Sequence, residues 1–238
     1  MNLVDVAFTS IYKNKQGNYA PMPKRMAKCT PDLQWALSCI EIDVEDKGGK
    51  LRLSDLFRSY DMQQQAHNDY TSGKKSAYSP RPGGSMHEAG RAFDVDLKAL
   101  NMPLKDFWEI AAKYGVNPII AKPDTKLKEC WHFDKRGSHG IVYDYYAKGK
   151  GNNMKPYRAM ATSGILAIGQ KVDGMNNLNA YIQSALIILG YEIGNIDGIA
   201  GTRTKDALVE IGINRIEPAI IKQQLEQHLR ERFFEEFI

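Results

Sequence analysis

Two short segments constrain this chain more than anything else in it: Ser85-Met86-His87-Glu88-Ala89-Gly90-Arg91-Ala92-Phe93-Asp94 and, further along, Glu129-Cys130-Trp131-His132. They hold two histidines, an aspartate and a glutamate that can serve one site only if the fold brings distant residues together. A hydrolytic zinc site takes three protein ligands from His and carboxylate and leaves the fourth tetrahedral position to water. His87, Asp94 and His132 supply that set. Glu129, three residues before His132, supplies a carboxylate to act as general base beside the metal. The pattern points to one catalytic Zn2+ and metal-assisted hydrolysis.

The helical zinc-protease pattern, with two histidines four residues apart, is absent, because Arg91 stands four residues after His87. The ligands must come from a loop, a strand and a second segment. The arrangement resembles the peptidase family that includes zinc D-Ala-D-Ala carboxypeptidases, vancomycin-resistance dipeptidases and phage L-alanyl-D-glutamate endopeptidases. Ser85, His87, Gly90, Ala92 and Asp94 match its Ser-x-His-x-x-Gly-x-Ala-x-Asp pattern, and Glu129, Trp131 and His132 match its Glu-x-Trp-His. Arg58-Ser59-Tyr60-Asp61-Met62-Gln63 resembles its upstream Arg-Ser-Tyr-x-x-Gln.

The resemblance spans roughly residues 30 to 140. It implies that His87, Asp94 and His132 ligate zinc and that Glu129 takes a proton from water and returns one to the leaving amine. Arg58 would face the scissile carbonyl or a substrate carboxylate, a task suited to its planar, permanently charged fork. Ser85 and Gln63 are expected at the substrate, and Trp131 walls the pocket or joins the core.

Taken singly, each of these residues is an ordinary polar side chain; the joint order and spacing make the site. Asp96 rivals Asp94, since alternate strand residues share a face, but the motif register favours Asp94 and leaves Asp96 to support it. Glu88 and Arg91 read as a solvated pair, and His139 as an exposed loop histidine. His67 and His228 receive no role. Cys29, Cys39 and Cys130 lack any Cys-x-x-Cys spacing and read as packed thiols, which argues against a disulfide framework.

With 238 residues and 43% hydrophobic content, the chain can bury a sizeable core in one large domain or two modest ones. No apolar run is long enough to cross a bilayer. No signal peptide is visible, which predicts synthesis in the cytoplasm and action on the wall during phage lysis or release. Residues 1–159 carry 25 Lys and Arg against 18 Asp and Glu, and residues 160–238 carry 7 against 10. The basic catalytic half would be drawn to an anionic polymer such as bacterial wall, although the same bias also fits a solvated surface. No basic stripe with interleaved aromatics points to nucleic acid.

Hydrophobic periodicity predicts helices over 31–44, 61–70 and from Pro103 onward, and strands over 51–58, 93–97 and 128–133, with Ser79–Gly84 a loop that delivers Ser85 and His87. The span 146–175 reads as a linker. Beyond it, Asp197-Gly198-Ile199-Ala200-Gly201-Thr202-Arg203-Thr204 and the apolar helix ending at Gly190 look like a small three-helix peptidoglycan-binding module. In that reading Thr202 caps a helix, and Ile221, Leu225, Leu229, Phe233 and Phe237 lie along the closing one.

The sequence therefore predicts an α+β zinc peptidase domain with a small antiparallel sheet over residues 1–155, followed by an all-α three-helix bundle over 156–238. The expected protein is a monomer that binds bacterial peptidoglycan and hydrolyses its stem peptide, with L-Ala-D-Glu endopeptidase activity favoured. The alternatives are a D-Ala-D-Ala carboxypeptidase and a wall-binding protein without activity.

Overall fold

The computed structural model describes residues 1–214 and 217–238. Its strands are β1 (Val4–Asp5), β2 (Thr9–Lys13), β3 (Tyr19–Pro21), β4 (Lys28–Cys29), β5 (Leu53–Asp55), β6 (Ala92–Val95), β7 (Val116–Pro118) and β8 (His132–Lys135). β1 pairs with β4, and the remaining six form one sheet in the order β3-β2-β5-β6-β8-β7. β2 and β5 run parallel, whereas the other pairs are antiparallel. The sheet is therefore mixed and not purely antiparallel. The long connection from β2 to β5, which includes helix α1 (Pro31–Asp46), supplies the crossover that a parallel pair requires.

α1 starts with Pro31 in its first turn, where a missing N–H costs nothing, and buries Leu33, Leu37, Ile40 and Val44 along one face. α2 (Tyr60–Thr71) is capped by the Ser59 hydroxyl, which accepts from the Met62 amide. α3 (Leu104–Lys113) turns Leu104, Phe107, Ile110 and Ala111 inward. These helices and one face of the sheet enclose the first core. Phe93 and Phe133, opposite each other on β6 and β8, stack at 5.7 Å, and Phe107 meets Phe133 edge-on at 4.9 Å. Because strand side chains alternate, the neighbours of those phenylalanines face the other way.

A second layer contains α4 (His139–Ala147), α5 (Pro156–Ala167), α6 (Asn177–Ile188), α7 (Thr202–Glu210) and α8 (Pro218–Arg232), then a 3-10 turn over Phe234–Glu236. α5 occupies the middle of the stretch that reads as a linker in the sequence, and Ala159 through Leu166 are all buried. α4 and α5 share one apolar core with α6, α7 and α8, and that core extends to Met86, Ala89 and Ala92 beside His87. The helical layer thus rests directly on the motif loop. α8 ends at Arg232, so Phe233 and Phe237 lie past it. Gly201, not Thr202, precedes α7, with no side-chain cap.

The Asp197-Gly198 turn is held by Gln183, whose Oε1 accepts from both turn amides at 3.0 and 2.8 Å. Gly198 has φ +79°, and a Cβ there would stand 2.6 Å from the Asn176 nitrogen.

Candidate metal centre and peptidase cleft

The register of three strands builds the centre. Asp55 on β5 lies opposite Asp94 on β6, which lies opposite His132 on β8. Directly opposed side chains stand about 5 Å apart at Cβ, close enough to share a ligand. The third donor arrives from the loop before β6, where the Arg58 amide donates to the His87 carbonyl at 3.2 Å and the Thr30 amide donates to that of Gly90 at 3.0 Å. Gly90 adopts φ +65°, and a Cβ there would lie 2.4 Å from Leu3, so this tight turn excludes a side chain.

His87, Asp94 and His132 converge, with their donor atoms within 4.8 Å of one another. His87 Nδ1 lies 2.6 Å from the Leu56 carbonyl, which only accepts, so Nδ1 carries the proton and Nε2 presents a lone pair. His132 Nε2 lies 2.8 Å from Asp134 Oδ1, which leaves Nδ1 bare in the same way. The two bare nitrogens are 3.2 Å apart, with Asp94 Oδ1 at 3.3 and 2.9 Å from them. Three lone-pair donors aimed at one point repel unless a cation lies between them. Two imidazoles and one carboxylate are the donor set of a catalytic zinc site.

Charge around the set has the matching sign. Burial would raise the Asp94 carboxyl, but the His87 and His132 rings outweigh it and keep the group anionic. Burial would lower His132, yet Asp134 and Asp94 outweigh it and raise its proton affinity. The same negative field attracts a metal ion.

The sequence places Glu129 on a strand with His132, but the strand begins only at His132. Glu129 occupies a turn in a left-handed conformation, φ +66°, with its carbonyl accepting from the His132 amide at 3.0 Å. A non-glycine residue held there carries strain on the order of 1 kcal/mol, the kind retained at functional positions. Its Oε1 is buried without a hydrogen-bond partner, and burial raises its pKa. An unpaired carboxylate with raised proton affinity at the cleft is suited to a general base.

Arg58 is held by Asp55, with Nε to Oδ2 at 2.7 Å, and by Gln63 Oε1 at 3.2 Å; its NH2 lies 3.9 Å from Asp94 Oδ2. Burial opposes its charge, but Asp55 and Asp94 prevail. Gln63 is fully buried and does not line the cleft; its amide donates to Pro80 O and Ser79 Oγ and so braces Arg58. Ser85 and Trp131 line the cleft, and Ser85 Oγ accepts from the His87 amide. The cleft measures about 1090 Å³ and is walled on one side by Met154, Lys155, Tyr157 and Arg158.

Several sequence expectations are corrected. Asp96 pairs with Arg52 at 3.3 Å and does not support the metal set. Glu88 is fully buried, accepts from the Gly83 and Ser85 amides, and is raised to about 7 by burial against those bonds. Arg91 is also fully buried, between Asp32 at 2.9 Å and Glu236 at 2.7 Å. His139 opens α4, buried, with Nδ1 2.7 Å from Ser163 Oγ.

Two contributors escape the sequence reading. Asp134 follows His132 by two residues on β8, a spacing that places both on one face. Tyr157 donates to Asp134 at 3.0 Å from α5, a contact that no local spacing announces.

No curated protein matches the chain. Among solved structures, the LD-carboxypeptidase LdcB is 18% identical, with 68% of this chain and 78% of that one covered at a TM-score of 0.44. The L,D-carboxypeptidase DacB of Streptococcus pneumoniae is 24% identical, covering 60% and 91% at 0.36. The vancomycin-resistance D,D-pentapeptidase VanY, a mutant in complex with Zn(II), is 14% identical, covering 66% and 90% at 0.39. Residues 27–134 match the VanY family, described as D-alanyl-D-alanine carboxypeptidase, and that span contains Arg58, His87, Asp94, Glu129 and His132. The chain is accordingly a metallopeptidase that, over residues 27–134, is similar to the VanY family.

Proposed function

We propose that this protein hydrolyses an amide bond in the stem peptide of bacterial peptidoglycan, with zinc held by His87, Asp94 and His132. The observation that carries the reading is the half-buried Glu129 carboxylate, whose buried Oε1 has no hydrogen-bond partner, at a cleft that also contains three convergent metal donors. When bound, zinc would supply Lewis-acid activation. The chain's own residues do the rest. Glu129 accepts the proton of the attacking water and delivers one to the leaving amine. Arg58, fixed by Asp55 and Gln63, offers a preorganised cation to the charge developing on the carbonyl oxygen.

The family match favours release of terminal D-alanine. Cleavage of the internal L-Ala-D-Glu bond is the second reading, supported by a cleft of about 1090 Å³ with walls from both layers, roomier than a terminal dipeptide needs. Mass spectrometry of peptidoglycan digested with zinc-loaded protein, beside a chelated control, separates them. Free D-alanine marks the first and new N-terminal D-glutamate the second; no zinc-dependent product would leave a wall-binding protein without activity.

We assign wall binding to α6–α8, on the Asp197-Gly198-x-x-Gly201-x-x-Thr204 pattern and an exposed Ile199 beside it. Joined to the peptidase, such a module would raise its local concentration at the wall. Action as a monomer on the wall after the membrane is breached completes the proposal. Sedimentation with insoluble peptidoglycan should weaken in Ile199→Asp if the module binds through this turn.

A further inference from the structure

The cleft carries a charge pattern that hydrolysis alone does not use. Its acidic lining consists of Asp55, Asp94 and Glu129. Asp55 is engaged by Arg58, Asp94 belongs to the metal set, and Glu129 is the base. Beyond Arg58, the cationic lining consists of Lys75, Arg81, Lys155 and Arg158. None of these four has a carboxylate partner among the described residues, whereas the neighbouring Lys74 pairs with Asp69.

The four cations come from different sides. Lys75 and Arg81 lie between α2 and the motif loop, while Lys155 and Arg158 belong to the start of α5. The Arg158 side chain runs past Gly84, with its Cγ 3.9 Å from where a Cβ on that glycine would stand, and Gly84 immediately precedes Ser85. Lys75 acts electrostatically on Glu129. Unneutralised like charges across a cleft repel one another, and a bound anion relieves the repulsion. The first turn of α5, with Pro156 leading it, adds a positive helix end of the same sign.

We propose that Lys75, Arg81, Lys155 and Arg158 form a subsite for free carboxylates of the peptide substrate, so that the protein selects acidic stem peptides over their amidated counterparts. This rests on the peptidase reading of the same cleft. Lys155 and Arg158 lie outside the span 27–134, so this half of the selectivity is specific to the chain's helical layer.

Two synthetic stem peptides, identical except that one carries free carboxylates and the other carboxamides at the same positions, provide the probe. Their binding is measured by calorimetry to zinc-loaded, full-length Glu129→Gln protein, alone and with Lys155→Gln and Arg158→Gln added. An exposed charge contact is worth about threefold, so the acid should bind about tenfold tighter than the amide through two of them. That preference should shrink to about threefold or less in the double variant, and as salt rises from about 0.05 to about 0.5 M. Arg81→Gln, from another segment, should act in the same direction.

Equal binding of the two peptides, or an acid preference unchanged by these substitutions, would overturn the subsite. Retention of a polyglycerol-phosphate chain through Lys155 and Arg158, without acid preference, would assign the patch to a wall polymer and overturn the peptide assignment. Protein with Glu129 intact that shows the preference yet cleaves neither peptide would remove the peptidase reading while the subsite stood.

Discussion

Replacing Glu236 with alanine should destabilise the motif loop from 145 residues away in the chain. Arg91, in that loop, is fully buried and donates to Asp32 Oδ2 at 2.9 Å and to Glu236 Oε2 at 2.7 Å. Glu236 also accepts from the Ser138 amide and, at 2.9 Å, from the Ser138 hydroxyl. Removing one partner of a buried ion pair costs about 3–5 kcal/mol, and Asp32 stays to hold part of the charge, so the lower end, about 3, applies. The stranded Ser138 donors add about 1–2 kcal/mol. A loss of about 4–5 kcal/mol is a large fraction of the roughly 5–15 kcal/mol that stabilises a protein. At about 2–4 °C per kcal/mol for a chain of this size, the Tm should fall by about 8–20 °C. Thermal melts followed by circular dichroism at saturating zinc would show it. Glu236→Gln, which keeps an acceptor for Ser138 but loses the charge, should fall between. A Tm shift under about 2 °C for the alanine variant would refute the assignment of Arg91 and Glu236 as a buried structural pair.

Glu129→Gln should retain zinc, measured by elemental analysis, while turnover drops by about two to four orders of magnitude; retained turnover would remove Glu129 as the base. Asp134→Asn and Tyr157→Phe should weaken zinc binding by about 10- to 100-fold in competition with a chromophoric chelator, because both hold the His132 ring; unchanged affinity would reduce these contacts to packing. Chelation of zinc present at about a thousand times its Kd should remove about 4 kcal/mol of stability, restored when metal is returned. His139 is held neutral well below its usual pKa, first by burial and then by Arg91 and the N-terminal amine. The unfolded chain takes up a proton below about pH 6.5 that the folded one refuses, so stability is full above that value and falls as pH drops, by up to about 1.4 kcal/mol per unit. His139→Gln should flatten this acid slope in urea titrations, and an unchanged slope would show that other groups set it.

The candidate metal donors are legible in the sequence because their chemistry is local. Asp94 and His132 each sit in a motif whose spacing is fixed by the strand that carries it, and the Phe93–Leu97 alternation announces which residues turn inward. β1 to β3 leave no such mark because their segments are two to five residues long and mostly exposed, so no hydrophobic period distinguishes them. Glu88 and Arg91 mislead for a different reason. A charged residue is surface by default, and what buries Arg91 is Glu236, brought near only by the completed fold. The stretch 146–175 resembles a linker because its glycines and asparagines precede an α5 that is apolar on nearly every side. Such a helix has no polar face to display a period, and only the second core shows where it goes.

The same helix explains why the site cannot be described from the matched span alone. His132 presents Nδ1 to the metal set because Nε2 is engaged by Asp134, and Asp134 is engaged in turn by Tyr157 of α5. Further along α5, Thr162 donates to the Gly83 carbonyl at 2.8 Å, at the entrance to the loop that carries His87. Met86 and Ala89, on either side of His87, are buried in the core that α5 and α6 complete. Two of the three candidate metal donors are therefore oriented through contacts made by residues beyond position 134. Ligand rings tolerate little rotation before a tetrahedral site is lost, so a change in how α5 packs should register first as weaker metal binding and only later as unfolding.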